Sequence, residues 1–138
     1  MTAPRSRANL VRILLADDSR GIRDVLAIVL TGTGFEVALA EDGKEALDHL
    51  LAHPVDVLVT DIFMPRMDGI ALIRAARAAS RDLKIIAMSG GWAVPNLDVN
   101  PGLVEGDVLE VARRVGADRT FEKPVAPNDL VAAIRSLL

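Results

Sequence analysis

The feature of this sequence that most constrains its fold is the alternation of short apolar runs with segments of helical periodicity. The first run, Ile13-Leu14-Leu15-Ala16, is apolar throughout. Such runs are typical of strands that are buried on both faces of a sheet. A segment with apolar residues at helical spacing follows, and the same pair of elements recurs along the chain. This alternation predicts an α/β domain in which helices cover both faces of a parallel sheet.

Five strand–helix pairs are predicted. The strands cover about residues 13–16, 35–40, 55–60, 83–88 and 119–122. The first helix begins after Ser19. The next three cover about 44–52, 70–79 and 108–115, and the last begins at Pro127. Asp107 is predicted to cap the fourth helix, with Glu110 completing a capping box. The sequence thus predicts a (βα)5 unit at 12–138, preceded by an N-terminal tail at 1–11.

Composition and charge exclude several classes of function. The formal net charge of -3 predicts no general attraction to nucleic acid or to anionic membranes. The absence of cysteine excludes disulfides and thiolate metal sites, and no apolar run approaches the roughly 20 residues of a membrane span. We interpret His49 and His53, on or just after the second helix, as surface residues. We therefore expect a cytoplasmic protein with neither direct nucleic-acid binding nor membrane insertion.

Polar side chains follow four of the five predicted strands. Asp17 and Asp18 come after the first strand, Asp61 after the third, Ser89 after the fourth and Lys123 after the fifth. In open parallel sheets, ligands bind outside the carboxyl ends of the strands. Three unpaired carboxylates in one cleft repel each other, so the arrangement needs a cation. Because the ligands are all oxygen atoms, Mg²⁺ is the natural choice.

The residues around these positions resemble the motifs of response-regulator receivers in two-component signalling. They are Asp17-Asp18-Ser19, the run Asp61-Ile62-Phe63-Met64-Pro65-Arg66-Met67-Asp68-Gly69, then Met88-Ser89-Gly90, and Lys123-Pro124. The resemblance covers about residues 12–138. It implies a flavodoxin-like, doubly wound parallel sheet with strand order 2-1-3-4-5.

The resemblance also implies a nucleophile and a metal site. Asp61 would take a phosphoryl group from a histidine kinase or a phosphotransfer protein. Asp18, Asp61 and the backbone carbonyl of Phe63 would bind Mg²⁺ directly, whereas Asp17 would act through water. From the residues themselves, we predict that Gly69 occupies a turn with positive φ beyond the nucleophile.

Two further residues carry implied roles in catalysis and signalling. Lys123 would contact a phosphoryl oxygen, and the Ser89 hydroxyl would move to bond the phosphoryl group. This movement would pass the signal to a downstream protein. Such a protein is a signalling phosphoacceptor that catalyses only its own phosphorylation and hydrolysis, so we expect no enzyme activity on other substrates.

The sequence departs from the usual receiver pattern in three places. Thr120 stands where receivers usually have an aromatic residue three positions before the lysine. The extended loop at about 90–106 contains Trp92, and we predict that it is the moving part that partners read. Neither Phe63 nor Gly91 can orient a water molecule by a side-chain hydrogen bond, so we predict slow dephosphorylation.

Three other classes of protein fit these residues less well than a receiver. We expect a stand-alone receiver, because no output domain follows the last helix, although a truncated chain would look the same. A haloacid-dehalogenase-type phosphatase needs an aspartate two residues after its nucleophile, where this chain has Phe63 after Asp61. Full retention of the site residues argues against a degenerate receiver that works without phosphorylation. A flavodoxin-like nucleotide-binding protein would need a glycine-rich phosphate loop after the first strand, and this sequence has none there.

Overall fold

The computed structural model describes residues 10–90 and 105–138. The strands are β1 (Arg12–Ala16), β2 (Glu36–Ala40), β3 (Val57–Asp61), β4 (Lys84–Ser89) and β5 (Arg119–Glu122). The helices are α1 (Arg20–Gly32), α2 (Gly43–Ala52), α3 (Gly69–Ala79), α4 (Glu105–Val115) and α5 (Pro127–Leu137). The predicted alternation of strands and helices is confirmed.

The five strands form one parallel sheet in the order β2-β1-β3-β4-β5. This arrangement confirms the predicted fold class and strand order. The order reverses between β1 and β3, so their carboxyl ends flank the crevice where ligands bind in such sheets. Within the sheet, Asp61 lies beside Met88, and Ser89 lies beside Glu122.

Apolar side chains cover both faces of the sheet. Residues 13–16 of β1 are buried, as their apolar run predicted, and all five residues of β3 are buried too. One core cluster packs α2, α3 and α4 against the sheet, and a second packs α1 and α5 against its other face. The largest fully buried side chains are Ile13, Leu14, Leu15, Leu30, Leu58, Ile62, Met64, Leu72, Ile73, Ile85, Ile86 and Met88. A core on both faces holds the strand ends in fixed relative positions.

Side-chain caps fix where three helices begin at the carboxyl edge of the sheet. Ser19 caps α1 by accepting a hydrogen bond from the Ile22 amide. Asp42 caps α2, and Asp68 caps α3, each through a carboxylate oxygen. Such caps satisfy amide groups that the helix itself leaves without partners.

The start of α4 corrects one prediction. The helix begins at Glu105, so Asp107 lies within its first turn and is not its N-cap. The predicted loop at 90–106 therefore ends two residues earlier than expected. Residues 91–104, with Trp92, lie outside the described part of the chain.

The two histidines lie on and just after α2, at the end remote from the strand carboxyl edge. His49 is half-buried and His53 is exposed, with 4.6 Å between their ring centroids. Burial, together with the neighbouring His53, lowers the pKa of His49. Neither belongs to a cluster of potential metal ligands among the described residues. No helix in 10–90 or 105–138 is long and apolar enough to cross a membrane.

Candidate functional site

Three carboxylates converge at the carboxyl edge of the sheet. Asp17 and Asp18 follow β1, and Asp61 is the last residue of β3. One carboxylate oxygen from each lies within 4.8 Å of the others. Asp17 and Asp61 are buried, whereas Asp18 is exposed. The structure therefore brings together the three acidic residues that the sequence placed at this edge.

Lys123 reaches this acidic cluster from the end of β5. Its Nζ donates a hydrogen bond of 2.7 Å to Asp17 Oδ2 and lies 3.1 Å from Asp61 Oδ2. The lysine side chain is only 12% exposed, so solvent screens these contacts weakly. The expectation of three unpaired carboxylates was wrong, because Lys123 pairs with two of them. Three carboxylates against one ammonium still leave the cluster with excess negative charge.

Backbone amides fix the remaining oxygens of the two buried aspartates. Asp61 Oδ1 accepts a hydrogen bond of 2.8 Å from the Ile62 amide. Asp17 Oδ1 accepts one of 2.8 Å from the Ser19 amide, and Arg23 donates to the Asp17 backbone carbonyl at 2.7 Å. Sequence reasoning missed the two amide donors, because a backbone amide leaves no signature in residue type.

The environment shifts the pKa of both charged groups at the centre of the site. Burial, with further contributions from the charges of Asp17 and Asp18, raises the pKa of Asp61 to about 7 although Lys123 opposes the shift. Burial alone would lower the pKa of Lys123, but the charges of Asp61 and Asp17 outweigh it and raise that pKa. Lys123 therefore remains positively charged at neutral pH.

Ser89 ends β4 beside the acidic cluster. It is fully buried, and its Oγ has no hydrogen-bond partner within the described residues. Its carbonyl accepts a hydrogen bond of 2.8 Å from the Lys123 amide, which ties the end of β4 to β5. A buried hydroxyl without a partner costs about 1–3 kcal/mol, so natural proteins rarely keep one without a reason.

Gly69 has a different role from the predicted one. Its φ is not positive, and it is the first residue of α3. A Cβ at this position would overlap the backbone carbonyl of Asp61, and the Gly69 amide donates a 2.7 Å hydrogen bond to the Ile62 carbonyl. Glycine is needed here because α3 begins directly against the backbone of the acidic residue.

Two of the residues that depart from the receiver pattern, Phe63 and Thr120, lie in the described part of the chain. Phe63 is half-buried and packs against the core cluster under α2, α3 and α4. Thr120 Oγ1 is 3.4 Å from a guanidinium nitrogen of Arg113 on α4. Phe121 packs in the cluster on the opposite face, as the strand period predicts. Gly91 lies outside the described residues.

The doubly wound (βα)5 sheet and its acidic edge, with a lysine from β5 and a serine from β4, define a receiver-type domain. The chain belongs to the response regulator receiver domain family, whose model matches residues 13–99. This range includes Asp17, Asp18, Asp61 and Ser89. Lys123 lies beyond it, and the fold brings it to the site.

Named relatives support the same family. The chain is 36% identical over 128 residues to the response regulators MprA of Mycolicibacterium vanbaalenii and of Mycobacterium tuberculosis, which covers 93% of this chain. It spans about half, 50%, of the length of these relatives.

Solved receiver structures are similar across nearly the whole chain. A CheY-like receiver domain protein from Methanospirillum hungatei JF-1 superposes with a TM-score of 0.79 at 28% identity, covering 93% of each chain. Chemotaxis protein CheY4 of Vibrio cholerae gives 0.77 at 27% identity, covering 94% of this chain and 99% of its own. Both similarities agree with the assignment of this chain to the receiver domain family.

Proposed function

We propose that this domain accepts a phosphoryl group on Asp61 in a Mg²⁺-dependent reaction and then switches conformation to control a protein partner. The donor is a histidine kinase or a phosphotransfer protein. The observation that carries the proposal is the position of the buried Asp61, between two further carboxylates and the Lys123 ammonium. Phosphoryl transfer needs charged groups that are already positioned around the reacting atoms. A buried carboxylate with a purely structural role would not need these neighbours.

The chemistry requires one bond to form and another to break. A carboxylate oxygen of Asp61 forms the bond to phosphorus while the bond from phosphorus to the donor's histidine nitrogen breaks. The imidazole leaves with the electron pair of that bond. Lys123 lies close enough to Asp61 to contact a phosphoryl oxygen, and its raised pKa keeps it charged for this contact. Because the protein is consumed as acceptor and restored by hydrolysis, it is not an enzyme for other substrates.

The donor atoms at this site fit Mg²⁺. The carboxylate oxygens of Asp17, Asp18 and Asp61 lie close together, and hard divalent cations prefer oxygen ligands. Both Asp17 oxygens accept hydrogen bonds, from the Ser19 amide and from Lys123. As the resemblance to receivers implies, Asp18, Asp61 and the carbonyl of Phe63 would be the direct ligands, and Asp17 would act through water. Bound Mg²⁺ would offset the charge of the phosphoryl oxygens.

The switch is proposed to act through Ser89. Its buried hydroxyl has no partner within the described residues, and a phosphoryl oxygen on Asp61 would provide one. The movement would be transmitted to a downstream protein, and we propose no direct contact with nucleic acid. The role of the loop at 90–106 stays a prediction, because most of it lies outside the described residues.

The test is covalent labelling with a small phosphodonor. With acetyl phosphate and Mg²⁺, the intact mass should rise by one phosphoryl group, and chelator should prevent this. Asp61→Asn should abolish the label. Asp68→Asn is the matched control, because Asp68 is exposed and asparagine can replace it as the cap of α3. Labelling of Asp61→Asn at the wild-type level would overturn the assignment.

A further inference from the structure

The connection between β3 and α3, residues 62–68, contains a backbone outlier at Arg66. Its φ is 67°, a left-handed conformation that costs energy for a residue with a long side chain. The Met67 amide donates a 2.7 Å hydrogen bond across Arg66 to the Pro65 carbonyl, which makes a strained three-residue turn. Such conformations persist only when the surroundings impose them, and they concentrate at functional sites.

An ion pair joins this turn to the start of α2. Arg66 Nε lies 3.2 Å from Asp42 Oδ2. Asp42 is 4% exposed, and its other oxygen caps α2 by accepting a 2.8 Å hydrogen bond from the Glu45 amide. One buried carboxylate therefore holds both the helix N-terminus and the turn.

The turn also lies directly on the first residue of α2. A Cβ at Gly43 would overlap the backbone carbonyl of Met67, so only glycine permits this approach. Beyond the turn, the chain returns to the acidic site, where the Gly69 amide bonds to the Ile62 carbonyl. The connection is thus held at its centre by α2 and at its ends by the backbone next to Asp61. Phe63 lies between these attachments.

We propose that the Asp42–Arg66 ion pair is a positioning contact that holds the Phe63 backbone in place for metal binding at Asp61. This inference rests on the proposed Mg²⁺-dependent function. Neither side chain of the pair is a metal ligand in this scheme. A carbonyl ligand contributes its full affinity only when its backbone is already held, because ordering a mobile loop consumes part of the binding free energy.

For Arg66→Gln, an effect of charge alone and a positioning role predict opposite changes in Mg²⁺ affinity. Removing the positive charge of Arg66 from the neighbourhood of a cation site should strengthen Mg²⁺ binding if Arg66 acts only through its field. The positioning role predicts that the same change weakens binding. Asp42→Asn weakens binding under either view, so Arg66→Gln is the decisive variant.

The experiment measures Mg²⁺ affinity by titration calorimetry without a phosphodonor. Asp42→Asn keeps a capping oxygen for α2, and Arg66→Gln keeps most of the side-chain stem. Each should weaken Mg²⁺ binding by about three- to tenfold. This loss is at or below the lower end of the range for residues that support metal ligands, because the Arg66 side chain is 60% exposed and solvent weakens its ion pair. The double variant should be no weaker than either single variant, because both break one interaction. Arg66→Lys, which keeps the charge, should retain most of the affinity.

Hydrogen exchange in chelator gives a readout that is independent of metal and phosphate. Amides in 62–69 should exchange faster in Asp42→Asn and Arg66→Gln. Arg12→Gln is the matched control, because the Arg12–Glu36 pair, at 3.4 Å, lies at the opposite edge of the sheet. Unchanged or tighter Mg²⁺ binding in Arg66→Gln, or unchanged exchange, would overturn the positioning role alone. Wild-type protein without measurable Mg²⁺ binding would overturn the proposed function itself.

Discussion

Asp61 makes the stability of the metal-free protein depend on pH in a direction that can be worked out from its surroundings. Burial, reinforced by Asp17 and Asp18 and opposed by Lys123, raises the pKa of Asp61 from 3.8 to about 7. The folded protein therefore holds the Asp61 proton to a higher pH than the unfolded chain does. Because the folded state binds more protons in this window, its stability falls as pH rises from about 4 to about 7.

Asp61→Asn removes this penalty while keeping the shape of the side chain. Each pKa unit corresponds to about 1.4 kcal/mol, so the full penalty above neutral pH is roughly 4 kcal/mol. At about pH 5 only part of the penalty has developed. The stability gained by the variant over wild type should therefore grow by roughly 2–3 kcal/mol between about pH 5 and about pH 8.

Urea unfolding in chelator at the two pH values measures this difference directly. Comparing the variant with wild type cancels the titration of groups that the two proteins share. Asp48→Asn, an exposed carboxylate on α2, is the control and should show no comparable change. Saturating Mg²⁺ should stabilise wild type and so reduce the difference in free energy of unfolding between Asp61→Asn and wild type at the higher pH. A gain that does not change with pH, or an Asp61→Asn variant less stable than wild type at about pH 8, would refute the reasoning.

Variants at the metal ligands, at Ser89 and at Phe63 test other parts of the site. Asp18→Ala should remove most Mg²⁺ affinity in calorimetry, whereas Asp17→Ala should weaken it less because Asp17 acts through water. Ser89→Ala should leave the unphosphorylated protein as stable as wild type or more stable by up to about 1 kcal/mol in urea unfolding, because a buried hydroxyl without a partner is removed. The same variant should still accept phosphate, and loss of labelling would contradict its assignment to the switch. Phe63→Asn should speed spontaneous dephosphorylation, measured by loss of the phosphoryl mass, since it introduces a group that can hold a water molecule; a slower rate would contradict this interpretation of Phe63.

The sequence predicted the location of the site well because parallel strands end at a common edge. Residue type and position after each strand were enough to place Asp17, Asp61, Ser89 and Lys123 there. The apolar run of β1 also predicted that this strand is buried, since a strand covered on both faces has few polar positions. These features depend on local periodicity and on the topology that a βα unit imposes.

The contacts that the sequence did not predict depend on close tertiary approach. Gly69 was expected to need a positive φ, but the structure shows that it makes room for the Asp61 carbonyl. The pairing of Lys123 with two aspartates depends on distances of a few ångströms across three strands. The start of α4 at Glu105 differs from the apparent capping box because a capping motif is only a local preference. Residue type alone specifies none of these approaches.

The charge balance of the site explains why the Ser89 hydroxyl is proposed to move toward a phosphoryl group on Asp61. Before phosphorylation, the Lys123 ammonium is shared between Asp17 and Asp61. A phosphoryl group on Asp61 would replace one carboxylate charge with about two phosphoryl charges and add oxygens that accept hydrogen bonds. Lys123 cannot satisfy these oxygens alone while it also holds Asp17. On this proposal, the Ser89 hydroxyl, a neutral donor, forms a hydrogen bond to one of the added oxygens. This bond is favourable because the hydroxyl has no partner within the described residues before phosphorylation.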